Sequence, residues 1–368
     1  MSTQAASNFE KLPQEDNYEP PPSLSSLPDD VVLNCLSRVP RCDDLNISCV
    51  SKTLRSLVRS PELCRLRSLL PKKSVYLFYS FLRQDPKKCH WITLRRGEKT
   101  TTTHDYQVEH SSCSSSGTPP RFSRFCSSAV SVGSDIYFPC PPKKLWILDT
   151  RSGTIRMGPS MKVARWVHKK SMGVVDGKIY VIGGLDVETQ VEVFDPKTQT
   201  WEFAGEEKLR CESQFSASLE DKVYMVQFNY GGISAYSPEK GISNEATGSL
   251  SDKINCVCVV ENVIYACVKW RWLMWFDTKL KVWRRLIDSD GKVTFCIFNV
   301  EEMAEYEGKL AVFWTHINND GVLKTEIRCN MIALDRVGEE IRGMIESSGI
   351  VATYPHTIFL SQCVAVSD

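Results

Sequence analysis

From its first quarter onward the chain repeats one short pattern. An apolar residue followed by tyrosine starts a strand-like run at Ile136-Tyr137, Ile179-Tyr180, Val223-Tyr224 and Ile264-Tyr265, and Leu310-Ala311 is a decayed copy. The second residues of these pairs lie 43, 44, 41 and 46 residues apart. An earlier copy, Val75-Tyr76, precedes Tyr137 by 61 residues, and the excess is assigned to the Ser-, Thr- and Pro-rich stretch 104–124, expected to be a flexible loop. A second landmark keeps the same register: WILDT from Trp146, VEVFD from Val191, ISAYS from Ile233, LMWFD from Leu273 and MIALD from Met331. A third is the turn before each tyrosine strand, at Gly133, Asp176-Gly177, Glu220-Asp221, Glu261-Asn262 and Glu307-Gly308. A unit of about 40–50 residues containing four strands cannot bury its apolar faces alone, and its stacking into a ring is a β-propeller.

The cleanest unit is Asp176–Trp201. Asp176-Gly177 makes the hairpin turn into KIYVIGG. Gly183-Gly184 ends that strand, VEVFD is a third, and Trp201 opens a fourth. Ile179–Gly184 with Val191–Trp201 resembles the kelch repeat. Counting tyrosine strands gives six blades, with seven as the alternative. The tail His356–Asp368 reads as a strand with no third strand after it. It is expected to close the ring on the first blade, which removes an exposed sheet edge.

The stretch Leu27–Leu63 has a different period. Leu27, Val31, Val32, Cys35, Leu36 and Val39 recur at helical spacing. Ser26 with Asp29 reads as a capping pair, Pro28 suits a first turn, and Pro40 ends the helix. Asp43 or Asp44 can cap a second helix carrying Leu45 and Ile47. Ser51 can cap a third, and Ser60-Pro61-Glu62 opens a fourth. So small a module buries little on its own and is expected to lean on a partner or on the rest of the chain. LPDDVVLNCLSRVP followed by CVSKTLRSLVRSPEL resembles an F-box. That resemblance implies binding to a Skp-family adaptor, and through it to a cullin, by the positions matching the adaptor-facing surface: Leu27, Pro28, Val31, Val32 and Leu36. The expected organisation is a disordered leader over 1–24, a small all-α F-box module over 25–70 and an all-β kelch-type propeller over 71–368.

Composition narrows the function. In 368 residues the formal net charge is +1, which gives no electrostatic case for nucleic acid or an anionic membrane. No apolar run is long enough to span a bilayer, and the first residues lack the apolar core of a secretory signal. The cysteines number 15, with no C-x-x-C pair. An odd number at irregular spacing points to free thiols in a reducing compartment, cytoplasm or nucleus, and not to a zinc site or a disulfide framework. Cys256 and Cys258, two apart on a strand, are expected to face the core together.

No catalytic constellation is legible. G-x-S-x-G, H-E-x-x-H and a complete phosphate loop are all missing, and Gly97-Glu98-Lys99-Thr100 lacks its upstream glycine. The six histidines are scattered. Neither a cofactor nor a metal is expected. Binding is better supported. Loops joining the second and third strands, and those leading to the next blade, emerge on one face. They offer Arg165, Trp166, His168, Asp186, Arg210, Lys269, Trp270, Arg271 and Trp272 as candidates for holding a target protein, Trp and Arg being favoured interface anchors. Trp146, Trp201 and Trp283 fall on strands and are assigned to the core. The whole resembles a plant-type F-box/kelch-repeat protein. By that resemblance it is a non-catalytic substrate-recognition subunit of an SCF-type ubiquitin ligase. The alternative is a propeller enzyme or small-molecule sensor with an incidental helical leader.

Overall fold

The computed structural model describes residues 27–37, 39, 44–69, 73–81, 88–96, 106–114, 129–140, 142–165, 170–184, 189–207, 213–248, 250, 252–270, 272–291, 297, 299–318 and 324–367. The leader 1–24 and the proposed caps Ser26 and Asp43 lie outside them. The chain divides into two compact units, Met1–Leu70 and Pro71–Asp368.

The first unit has four helices: α1 (Asp29–Ser37), α2 (Asp44–Val50), α3 (Lys52–Val58) and α4 (Pro61–Leu69). Their ends follow capping chemistry. The Pro28 carbonyl accepts from the Val31 and Val32 N–H groups at 3.0 and 3.1 Å, starting α1. Extended Ser51 accepts the Leu54 N–H on its hydroxyl at 3.1 Å, and Ser60 does the same for Leu63 at 3.1 Å. Pro61 then takes the first helical position, where no N–H is needed. Val32, Leu36 and Leu63 form the core, with Leu33, Ile47, Leu54, Leu57 and Val58 packed around them. Arg55 Nε donates to the Ser48 carbonyl at 2.9 Å and ties α3 to α2.

The second unit is six sheets. In chain order the strands are β1 (Lys73–Phe81), β2 (Lys88–Arg96) and β3 (Tyr106–Ser114); β4 (Val130–Val132), β5 (Asp135–Cys140), β6 (Lys144–Asp149) and β7 (Thr154–Met157); β8 (Lys170–Val175), β9 (Lys178–Gly183), β10 (Thr189–Asp195) and β11 (Thr200–Glu207). There follow β12 (Ser213–Leu219), β13 (Lys222–Gln227), β14 (Ile233–Ser237) and β15 (Gly241–Ala246); β16 (Ile254–Val260), β17 (Val263–Val268), β18 (Trp272–Asp277) and β19 (Val282–Arg285). The last are β20 (Ile287–Asp288), β21 (Glu302–Tyr306), β22 (Lys309–Asn318), β23 (Lys324–Val337), β24 (Glu340–Tyr354) and β25 (Ile358–Ser367). Each tyrosine motif falls on the second strand of its blade and each aspartate-ended motif on the third. Two-residue turns join first to second strands. Both residues have positive φ in Asp176-Gly177 (51 and 73°), Glu261-Asn262 (46 and 61°) and Glu307-Gly308 (53 and 78°), the geometry that matches strand twist.

Between successive blades lies an apolar seam. Ile179 and Val181 face blade two, packing with Tyr137, Leu145 and Ile147, whereas Tyr180 and Ile182 face blade four and Val223, Met225 and Tyr236. The same alternation places Val75, Leu77 and Tyr79 against blade six and Tyr76 and Phe78 against blade two. Cys256 is buried and Cys258 half-buried in the seam between blades five and six, so the pair does face inward.

The ring closes through the chain end. β25 is the inner strand of blade one and runs antiparallel to β1, from Lys73 opposite Ser367 to Phe81 opposite Ile358. A buried carboxylate reinforces the junction. Glu301, just ahead of β21, accepts the Leu360 N–H at 3.3 Å, and accepts from both the Thr315 N–H at 3.3 Å and the Thr315 hydroxyl. Lys73 Nζ meets Glu305 of blade six at 2.7 Å. The inner strands also bond to one another: Ser131 Oγ donates to the Ala365 carbonyl at 2.8 Å, and Ser216 and Ser218 hydroxyls accept the Met172 and Val174 N–H groups at 3.0 and 2.7 Å.

The stretch 104–124 is not wholly a loop. β3 lies within it and pairs with β2 from Arg96 opposite Tyr106 to Lys88 opposite Ser114. An outer strand needs a ladder with only one neighbour, and Ser-rich sequence can supply that.

Gly173 sets how closely blades three and four approach. A Cβ there would lie 2.5 and 2.6 Å from the Val223 methyls and 2.9 Å from Ser218 Oγ. Gly173→Ala is therefore expected to destabilise the propeller by about 1–3 kcal/mol through overpacking. Denaturant unfolding of the full chain checks this, and an unchanged midpoint would mean that the seam has slack there.

Candidate functional site

Two surfaces carry the residues singled out from the sequence. On α1 the apolar positions divide between two faces. Val32 and Leu36 are one helical turn apart and both only 3% exposed, so they hold the module together and are not available to a partner. Their assignment as adaptor-facing is corrected here. The periodic stripe had merged two faces, because valines at consecutive positions point about 100° apart on a helix. The outer face keeps Pro28, Leu27 (42% exposed), Val31 (40%) and Cys35, at spacings of one turn. Cys49 and Val50 on α2 are exposed as well. Together they leave an apolar row exposed on the described part of this unit.

On the propeller, the second-to-third-strand loops lie at the Phe81 end of the strands. Lys73, where the chain enters blade one, lies at the other end. Lys269 and Trp270 form the tip between β17 and β18. Both have positive φ, 53 and 60°, although neither is glycine. A left-handed backbone at a bulky residue costs about 1–3 kcal/mol and persists only where its surroundings enforce it. Here they do. The Trp270 N–H donates to Asn255 Oδ1 at 2.6 Å, its carbonyl accepts from Val300 N–H at 3.0 Å, and the Lys269 N–H donates to the Lys253 carbonyl at 2.9 Å. The backbone is pinned from three sides while the residue as a whole stays 41% exposed. Lys269 Nζ is 3.4 Å from Asp252.

The remaining candidates fare differently. Arg165 is not on the surface. Its side chain and that of Glu192 are both fully buried, with Nε to Oε2 at 3.0 Å, and the guanidinium also donates to the Gly183 carbonyl. The other Glu192 oxygen accepts the Lys162 and Val163 N–H groups at 2.6 and 3.2 Å. This pair clamps the connection between blades two and three onto blade three. Burial lowers the Arg165 pKa from its usual range, and Glu192 opposes that shift. Trp272 is half-buried against the seam between blades four and five, with the Arg285 guanidinium 4.7 Å from its ring centre. Trp166, His168, Asp186, Arg210 and Arg271 lie outside the described residues. Trp146, Trp201 and Trp283 are buried.

Three further features lie at this end; Tyr230 and Ile317 fall in loops, 229–231 and 316–320, expected from sequence to emerge on the binding face, and the third was not legible. Tyr230 is 65% exposed at the tip between β13 and β14, also at positive φ (64°). Ile317 is exposed near the end of β22. Tyr79, Phe81, His90, Tyr354 and His356 form one aromatic cluster where blade six meets blade one, with Tyr79 and Tyr354 centroids 4.9 Å apart and Phe81 edge-on to His90 at 5.0 Å. The signal for Tyr230 was its Asn-Tyr-Gly-Gly turn. The cluster had none, because its members are up to 277 residues apart in sequence.

Among the described residues the seams offer packing and no reactive group. Burial pushes the thiols of Cys256, Cys258, Cys329 and Cys363 above the ordinary thiol range, and a protonated thiol in an apolar seam is inert. Among the described residues no three metal-ligating side chains converge.

The architecture is that of a four-helix F-box module joined to a six-bladed kelch-type propeller. Residues 24–66 match the family model of the F-box domain, and residues 91–352 match that of the FKB95 kelch-repeats domain. The chain belongs to the F-box/kelch-repeat family. In Arabidopsis thaliana it is similar to the F-box/kelch-repeat proteins At2g41360 (42% identical, over 94% of this chain and 98% of the relative) and At2g44630 (37%, over 98% and 100%). It is likewise similar to At2g22030 (36%, over 94% and 93%).

Arg165 and Trp270 make opposite forecasts. Arg165→Ala strands a buried carboxylate and is expected to cost about 3–5 kcal/mol of propeller stability. Trp270→Ala removes an exposed ring and should stay within about 0.5 kcal/mol. Parallel urea melts decide, and equal losses would contradict this division.

Proposed function

We propose that the chain is the substrate-recognition subunit of an SCF-type E3 ubiquitin ligase. The F-box holds a Skp-family adaptor and, through it, a cullin. The propeller holds a target protein, and the chain itself catalyses no step. The mechanism is proximity: tethering raises the effective concentration of target lysines near the charged ubiquitin-conjugating enzyme. The observation that carries this reading is the pairing, in one chain of this family, of an exposed apolar row on α1 with a rigidly presented tryptophan on the propeller. Free thiols among the described residues suit a reducing compartment, cytoplasm or nucleus.

Co-purification with a Skp-family adaptor tests the reading. Leu27→Ala with Val31→Ala alters only exposed groups, so the helices should remain. Burying each aliphatic against a partner is worth up to about 1.5–3 kcal/mol, and half-exposed residues yield a fraction of that. The double variant is expected to lose adaptor affinity by about tenfold or more. Trp270→Ala should leave adaptor capture intact and weaken target capture by about 2 kcal/mol or more. Undiminished adaptor binding by the double variant would sink the proposal.

A further inference from the structure

The chain as a whole is nearly neutral, yet one end of the propeller carries a set of exposed lysines. The second-to-third-loop end exposes Lys143, Lys144, Lys162, Lys253, Lys269 and Lys324 among the described residues. Three of these side chains are positioned by the protein. Lys143 Nζ donates to the Lys162 carbonyl at 2.7 Å, and Lys162 and Lys253 each lie 5.0 Å from a ring centre, of Phe203 and Phe228. Among the described residues, acids at this end are mostly used internally. Glu192 and Glu301 are buried in the seams, Glu326 pairs with Arg328 at 2.8 Å, and Asp252 pairs with Lys269. The opposite end is mixed: its first-to-second-strand turns contain the exposed carboxylates of Asp176, Glu220, Asp221, Glu261 and Glu307, and its third-to-fourth-strand turns expose Arg151, Lys197, Lys240, Lys279 and Lys281.

We infer that the loop end recognises an acidic linear segment of the target, carrying an apolar side chain that docks against Trp270 and Tyr230. The inference rests on the reading of the propeller as the target-holding domain and names the chemistry of what it holds. Lysines on separate loops give a broad positive field that steers an acidic chain, and Lys253 and Lys269 stand beside Trp270 to pair with carboxylates as the apolar group seats. A nucleic acid fits less well. Polyanion binding rests on many simultaneous phosphate neutralisations, and here single lysines alternate with exposed aromatic and aliphatic groups in a chain of net charge +1.

The test uses the full chain with its adaptor, immobilised and panned against a random-peptide display library. Selected peptides should be enriched in Asp and Glu around one apolar residue. Lys253→Glu with Lys269→Glu should lower binding of a selected peptide by about tenfold or more and flatten its salt dependence. Melting temperature and adaptor capture should not change. Glu220→Lys with Asp221→Lys, at the other end, should leave peptide binding as it was. Enrichment of neutral or basic peptides, no enrichment, or indifference to the lysine reversal would overturn the inference. So would displacement of the selected peptide by oligothymidylate at lower concentration than by the free peptide, which would assign the face to nucleic acid. Adaptor capture, read in the same preparation, separates this outcome from failure of the ligase reading. Its loss in the parent chain would sink that reading while leaving the peptide result standing.

Discussion

The middle strands of every blade bury both faces, and this two-sidedness governs the propeller. Ile179 and Val181 are covered by blade two, and Tyr180 and Ile182 by blade four. A sheet with two apolar faces cannot stand at the end of a row, because one face would meet water at about 25 cal/mol per Å². The row has to become a ring. That explains why the last strand of the chain is spent inside the first blade, and why polar groups gather at that junction. Glu301 satisfies backbone and hydroxyl donors from β22 and β25 where no regular ladder can reach both. Lys73 and Glu305 join the ends of blades one and six. The seams are filled with tyrosine, tryptophan, isoleucine and thiols, all large or polarizable enough to fill a tapering space.

The same two-sidedness decided what could be read from sequence. Strands covered on both faces appear as unbroken apolar runs, so the second and third strands were legible in five blades and the period followed from them. Inner strands lie close to one another near the axis. They therefore use Ser131, Gly173, Ser216 and Ser218, small residues with no apolar signature. Outer strands such as β7 and β15 have no fully buried residue and show no alternation. β3 was hidden because its serines read as a loop.

At the sites, legibility failed wherever a residue's role depends on a distant partner. Arg165 beside Trp166 reads as an interface pair until Glu192 is seen against it. The clue lay in the repeat. Glu192, opposite Val181, occupies the position held by Trp146, Ser234, Met274 and Asn330 in the other third strands, and a carboxylate in a strand buried on both sides demands a cation. On α1 the helical period located the apolar residues correctly but could not say which of two faces looked inward. That was set by Leu63, which reaches the α1 core from another helix.

Trp270 is the place where local and global preferences disagree. A tight loop with left-handed residues favours Asn-Gly, and the chain uses comparable chemistry at Asp176-Gly177 and Glu307-Gly308, where turns do nothing but reverse direction. Between β17 and β18 it keeps Lys-Trp in the same backbone region, and Asn255 and Val300 hold it there. Those holding groups belong to the inner strand of blade five and to the connection into blade six, both fixed by closed seams. The strain is thus borne by the ring. A freely moving loop would relax to ordinary backbone angles and let the indole fold down. Fixed as it is, the indole loses little freedom on meeting a partner, which is the main cost that a rigid aromatic anchor avoids. The rigidity of the blades and the availability of that one side chain are consequences of the same closure.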